Sequence, residues 1–201
     1  MLDTPLGGAC CELIDALDDV WAELVRGATN RRAGYHTVTL ATTGLDGVPE
    51  LRTVVLRHAS PSERTLRVHT DIRARKVAEV MARPAVAVLG YCPTRKLQIR
   101  VNGTATVHHN DDIARSAWEK TQPMSRRCYR VPLGPGTVLA DPKDEPETPR
   151  QPTYPDHGFE AFAVLKIHIS RLEWVTLAFE ANRRARYSWD SDRMTASWLI
   201  A

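Results

Sequence analysis

Leu51-Arg52-Thr53-Val54-Val55-Leu56-Arg57, followed after a short gap by Thr65-Leu66-Arg67-Val68-His69-Thr70-Asp71-Ile72-Arg73-Ala74-Arg75-Lys76, decides how the rest of this chain reads. The first stretch is rich in Val, Thr and Leu, with 52, 54 and 56 on one face of an extended backbone. It predicts a strand over 49–58, and a second strand over 65–70 follows the polar break 60–63, as in a hairpin. From Asp71 the period changes. Ile72, Val77, Val80 and Met81 fall on one helical face, so a helix is expected over 71–83, with Asp71 as N-cap and Pro84 as the stop.

Working outward, Leu13, Leu17, Val20, Trp21 and Leu24 recur at spacings of three and four and predict an amphipathic helix over 11–26. Residues 1–34 then read as this helix and a lead-in. A strand over 35–42 turns through Gly44, Asp46 and Gly47 into the 49–58 strand. Beyond the central helix, 85–91 and 96–107 return to strand character. In the second, Leu97, Ile99 and Val101 face one way and Gln98, Arg100 and Asn102 the other, with Gly103 as a candidate bulge. Asn110 or Asp111 caps a helix running to about residue 121, broken at Pro123. The proline-dense stretch 131–158 reads as a long surface excursion without a core of its own. Strands are expected over 159–174 (one long strand or a pair), 183–189 and 197–200. Strands outnumber helices and do not alternate with them, so the expected class is mainly β (α+β). The expected architecture is a closed or partly closed antiparallel barrel with peripheral helices, in one domain over 1–201.

The chain has 201 residues, 43% of them apolar and 25% charged, which suffices for a real core and argues against disorder. Its net charge is only +3, from 27 Lys and Arg against 24 Asp and Glu. That excludes a polybasic binder and gives nucleic acid no support. No apolar run approaches the ~20 residues that cross a bilayer. Asp3, Glu12, Asp15, Asp18 and Asp19 stand where a signal peptide would be basic and then apolar, so a cytoplasmic protein is expected. Four cysteines, Cys10, Cys11, Cys92 and Cys128, have neither metal-ligand spacing nor the density of a disulfide framework. The pair His108-His109 has no third ligand at metal spacing, and no metal is expected.

The charge is unevenly placed. Between Arg52 and Lys76 seven basic residues (Arg52, Arg57, Arg64, Arg67, Arg73, Arg75 and Lys76) meet two acidic ones (Glu63 and Asp71), a local excess of five. A solvated basic face is the ordinary explanation of such a cluster. Against it, Arg75 and Lys76 stand at the start of the predicted helix, where the partial positive pole disfavours cations unless an anion is bound. A phosphate held by Arg52, Arg75 and Lys76, with the Thr70 hydroxyl as a further donor, would satisfy all of them.

These residues resemble a family. Arg52-Thr53-Val54-Val55-Leu56-Arg57, then His69 to Lys76, then Gln98 on a strand, are similar to the flavin-binding signature of the pyridoxamine 5'-phosphate oxidase family. Leu172-Glu173-Trp174 and Arg186-Tyr187 are similar to its C-terminal Glu-aromatic-Trp and Arg-aromatic elements. The resemblance implies an FMN-binding split β-barrel, working as a homodimer with FMN in a groove between subunits. It implies that Arg52 and Lys76 pair with the FMN phosphate, helped by Arg75 and Thr70, and that Thr53, Val54, Val55 and Leu56 line the isoalloxazine. Gln98 would bond the flavin's polar edge, and Trp174 and Arg186 would reach it from the C-terminal segment of the other subunit.

The implied chemistry is hydride transfer from a small substrate to flavin N5, with reoxidation by oxygen or another acceptor. Where the sequence departs from the pattern, it does so mainly on the substrate side. Gln122-Pro123 replaces Arg-Pro, Asn182-Arg183-Arg184-Ala185-Arg186 replaces Arg-x-His-x-Arg, Arg57 replaces Lys, and Ala74 replaces the usual Ser near the phosphate. A neutral amide cannot reproduce a guanidinium's grip on phosphate, so a substrate other than pyridoxamine 5'-phosphate is expected, with Arg57, Arg184 and Arg186 as its orienting candidates. No residue is assigned a proton-transfer role. A flavin-storing protein and a barrel for another anionic ligand are the alternatives. Plain core is the ordinary reading of a Trp in an apolar strand, but the position of Trp174 beside Glu173 and before Arg186 shifts it toward the cofactor; Cys128, beside Arg126, Arg127 and Arg130, is expected to be a structural thiol, and the acidic stretch 141–147 a solvated loop.

Overall fold

The stretch around Leu51 to Arg57 forms the middle of a twelve-residue strand, and the topology follows from what pairs with it. The computed structural model describes residues 8–177, 182–191 and 193–201. The elements are helix α1 (Gly8–Thr29), strands β1 (Thr37–Thr43), β2 (Pro49–Ser60) and β3 (Thr65–Asp71), helix α2 (Arg75–Ala82), and strands β4 (Ala85–Cys92) and β5 (Leu97–His108). Helices α3 (Asp112–Glu119) and α4 (Pro123–Arg126) follow, then strands β6 (Phe162–Thr176), β7 (Arg183–Asp190) and β8 (Arg193–Leu199).

All strand pairings are antiparallel, in the order β3-β2-β1-β4-β5-β6-β7-β8, and a further β3–β6 pairing closes the first six into a barrel. β7 and β8 continue the sheet outside it. The changeover is made within β6. Its first half pairs with β3 from Phe162 to His168, and its second half pairs with β7 from Arg171 to Thr176. Between them the β5–β6 register shifts, with Asn102 opposite Arg171 but Gly103 opposite Ile169. Gly103 therefore marks a bulge, whose extra residue, Ser170, is on the facing strand. A Cβ on Gly103 would lie 2.0 Å from the His168 carbonyl oxygen, so only glycine fits where the strand leaves the barrel.

The barrel interior is filled by Leu40, Leu56, Leu66, Val68, Leu97, Ile99, Val101, Leu165 and Ile167, and α1 adds Leu13, Leu17, Val20, Trp21 and Leu24 to the same core. Two tyrosines fix α1 and its lead-in: Tyr187 donates to the Leu13 carbonyl (2.7 Å) and Tyr35 to that of Leu97 (2.9 Å). A smaller cluster under α3 holds Ala114, Trp118, Phe159, Phe162 and Val164. Asp111 caps α3 by accepting from the Ala114 amide.

Three details differ from expectation. α2 begins at Arg75 with Ala74 as an N-cap that offers no side-chain bond. Asp71 does not cap it, because it still pairs with Phe162 at the end of β3 and its carboxylate takes Arg73 instead. Met81, expected on the buried face, is 72% exposed, and Glu79 is buried in its place. Pro123 does not simply end α3. It occupies the first turn of α4, where its missing N–H costs nothing. The Pro-rich stretch forms little regular structure beyond one short turn, Pro142–Asp144. It is tied down by buried Arg130 donating to the carbonyls of His157 and Arg150, and by Arg73 donating to those of Val131 and Pro132.

Candidate functional site

Four of the cations and donors singled out by sequence do meet, at the N-terminal end of α2. Arg52 points inward from β2 and donates to Glu79 Oε2 at 2.8 Å. It also donates to the Thr42 hydroxyl, which in turn donates to the same Glu79 oxygen at 2.6 Å. Lys76 Nζ lies 3.2 Å from Thr70 Oγ1. Arg75, mostly exposed, stands 3.2 Å from Glu79 Oε1 and 3.5 Å from a Glu50 oxygen. Burial, and after it the nearby Arg52 charge, pull the Lys76 pKa below that of a free lysine. A lysine whose protonation is opposed by burial and by a second cation beside it is one that a bound anion would stabilise. The α2 amides are free of a side-chain cap at Ala74, adding the helix pole to the same point. This donor set suits a phosphate.

A second group lies on the outer face of the sheet. Directly paired residues share a face, and one transverse row runs Thr53, Thr39, Leu89, Arg100, Glu173, Arg186. The neighbouring row carries Gln98, Val175 and Arg184. Glu173 collects three guanidinium groups: Arg186 Nε at 2.8 Å, Arg184 at 2.7 Å and Arg100 at 3.4 Å. Its burial would raise its pKa, but the bonds from Arg184 and Arg186 outweigh that and hold it below the usual carboxylate range. Leu51, Leu89 and Tyr91 expose apolar surface around this face.

Other candidates fall differently from expectation. Leu56 is completely buried and Val54 packs against the core, so of the four residues 53–56 only Thr53 and Val55 turn their side chains outward. Trp174 faces inward with Leu172, edge-on to Trp198 at 6.1 Å, with its indole Nε1 buried and unpartnered. On a strand, neighbours point to opposite faces, so the outward position beside Glu173 belongs to Val175. Arg184 and Arg186 are committed to Glu173.

Arg57, in contrast, carries no ion pair among the described residues. It lies near His69, Cys128 and Tyr129, opposing protonation of the first and favouring ionisation of the other two. Thus Arg57 and Arg184 are not brought together within one chain. Partial burial pushes the Cys128 thiol up despite Arg57. Beside these residues a cleft of about 370 Å³ opens between Asp71, Cys128 and the 131–146 loop, with Glu145 on its wall.

Glu79 and Thr42 were missed in the sequence. The available signal was an acidic residue at i+4 from Arg75, standing among Val77 and Val80 on an otherwise apolar helical face. Among the described residues there is no group of three or more His, Cys, Asp or Glu able to hold a metal, and no helix is long and apolar enough to cross a membrane.

Residues 18–109, which include β1 to β5 and α2, match the family described as pyridoxamine 5'-phosphate oxidase, FMN-binding domain. The chain is 32% identical over 127 residues to pyridoxine/pyridoxamine 5'-phosphate oxidase 2 of Arabidopsis thaliana, covering 58% of this chain and 64% of that protein. It is 36% identical over 88 residues to the pyridoxine/pyridoxamine 5'-phosphate oxidase of Granulibacter bethesdensis, covering 42% and 40%. The chain thus spans less than two thirds of these curated relatives. In fold it is similar to a pyridoxamine 5'-phosphate oxidase-related, FMN binding protein of Nostoc punctiforme, with TM-score 0.70 and 20% identity over 98% of this chain and 100% of that one. It is also similar to PhzG of Burkholderia lata, with TM-score 0.67 and 18% identity over 99% and 95%.

Proposed function

We propose that this chain, whose residues 18–109 match the pyridoxamine 5'-phosphate oxidase, FMN-binding domain family, is an FMN-dependent oxidoreductase acting on a small substrate other than pyridoxamine 5'-phosphate. The observation that carries this reading is the convergence of Arg52, Thr70, Arg75 and Lys76 on the uncapped start of α2. These four would hold the cofactor's phosphate, Thr53 and Val55 would lie along its ring, and Gln98 would meet its polar edge.

When bound, FMN supplies the hydride-accepting centre. The chain supplies position and charge. Arg57, which has no carboxylate partner among the described residues, is the group available to orient an anionic substrate. Arg184 and Arg186 act by fixing Glu173 on the outer sheet face. Gln122, at the exposed N-cap of α4, brings no charge to a substrate phosphate, and this supports a different substrate. The exposed apolar side chains beside that face suit a second copy of the chain, which would cover a planar cofactor with surface that one barrel lacks.

Titration with FMN, followed by flavin fluorescence, tests the assignment. Arg52→Ala and Lys76→Ala should each weaken FMN roughly 100-fold, as expected for losing a charge-assisted pair to phosphate. Unchanged affinity in both variants would assign the cations to another ligand.

A further inference from the structure

Glu79 is the least exposed charged residue near the proposed phosphate site, with 0% of its side chain accessible, and among the described residues it is the one carboxylate that contacts both Arg52 and Arg75. Its Oε2 accepts from Arg52 and from Thr42, and Thr42 accepts from Arg52, so the three close a triangle behind the cation cluster. Its Oε1 is buried and accepts no hydrogen bond, although Arg75 Nε lies 3.2 Å away in an ion pair. A buried carboxylate with an idle oxygen is costly, and the fold retains it where a bound anion would be repelled.

We propose that Glu79 is a built-in counter-anion: it holds Arg52 in place while the site is empty and limits how tightly the site takes a phosphate dianion. This inference rests on the FMN reading above. In the unliganded protein Glu79 neutralises Arg52, which would otherwise be a half-buried cation beside Lys76. When a phosphate monoester arrives, carrying nearly two negative charges at neutral pH, Arg52 must serve both anions. The Glu79 charge then opposes binding, in proportion to the ligand's charge. Glu79 is a positioning residue, and its effect belongs to the phosphate end of the ligand, not to the ring.

Glu79→Gln keeps the shape and an oxygen for Arg52 and Thr42 while removing the charge. It should tighten FMN roughly tenfold and leave riboflavin, which lacks the phosphate, unchanged. Thr42→Val opens the triangle without altering charge and should not tighten FMN. Fluorescence titration of the three proteins with both ligands separates the cases. If Glu79→Gln binds FMN no tighter than the parent, or if Thr42→Val tightens it equally, or if riboflavin gains as much as FMN, the counter-anion role is wrong. If the parent binds neither flavin, the FMN reading itself fails, a result distinct from these three.

Discussion

A single residue, His69, gives the barrel a pH dependence whose sign can be worked out. It packs edge-on against Phe162 with ring centres 4.8 Å apart, and burial, followed by the charges of Arg57 and Arg67, lowers its pKa from 6.5 to about 4. In the unfolded chain it takes up a proton below pH 6.5, whereas in the folded protein it resists until about pH 4. Stability is therefore full above pH 6.5, falls as the pH drops through this window, and loses about 3 kcal/mol by its lower end. Urea denaturation across pH 4–7 should show that decline, and His69→Gln should flatten it; a parent curve level through the window would contradict the assignment. The residue scale was also where the sequence was most and least legible. Arg52, Thr70, Arg75 and Lys76 could be grouped because strand period and helix start placed three cations and a hydroxyl donor near one point. Glu79 could not, since its role depends on Thr42, 37 positions away on β1. Trp174 was grouped with the cofactor by resemblance alone, and the strand's alternation turns its side chain to the inner face beside Trp198.

Among the elements, β6 decides that the barrel is split, and Gly103 makes this possible. A side chain there would collide with the His168 carbonyl at the point where β6 passes from β3 to β7. Backbone on both sides of the bulge is held by ladder bonds and cannot retreat cheaply. Gly103→Ala should cost more than about 3 kcal/mol in chemical denaturation, and a loss below 1 kcal/mol would show that the bulge can relax. The sequence marked this glycine as a bulge from its position in an alternating strand. That the extra residue is Ser170 on β6, and that it divides one long strand between two partners, is a matter of long-range pairing that no local pattern records. The start of α2 shifted for a related reason: the β3–β6 ladder keeps Asp71 in the strand, and with it the helix loses its expected cap.

For the whole molecule, the small net charge of +3 conceals a division of labour. The outer sheet face spends its arginines on Glu173, the loop 131–158 is tethered by Arg73 and Arg130, and the α2 end concentrates Arg52, Arg75 and Lys76 around one buried carboxylate. Barrel class and the approximate positions of the strands were readable from alternation and turn residues, whereas closure through β3–β6 and the covering of the interior by α1 required the tertiary pairing. The central claim is that this cation cluster recognises the phosphate of FMN. Isothermal titration of the intact protein with FMN and with riboflavin measures it directly. One FMN should bind per chain, at least about 100-fold more tightly than riboflavin. Equal affinity for the two flavins, or no binding of FMN, would contradict it.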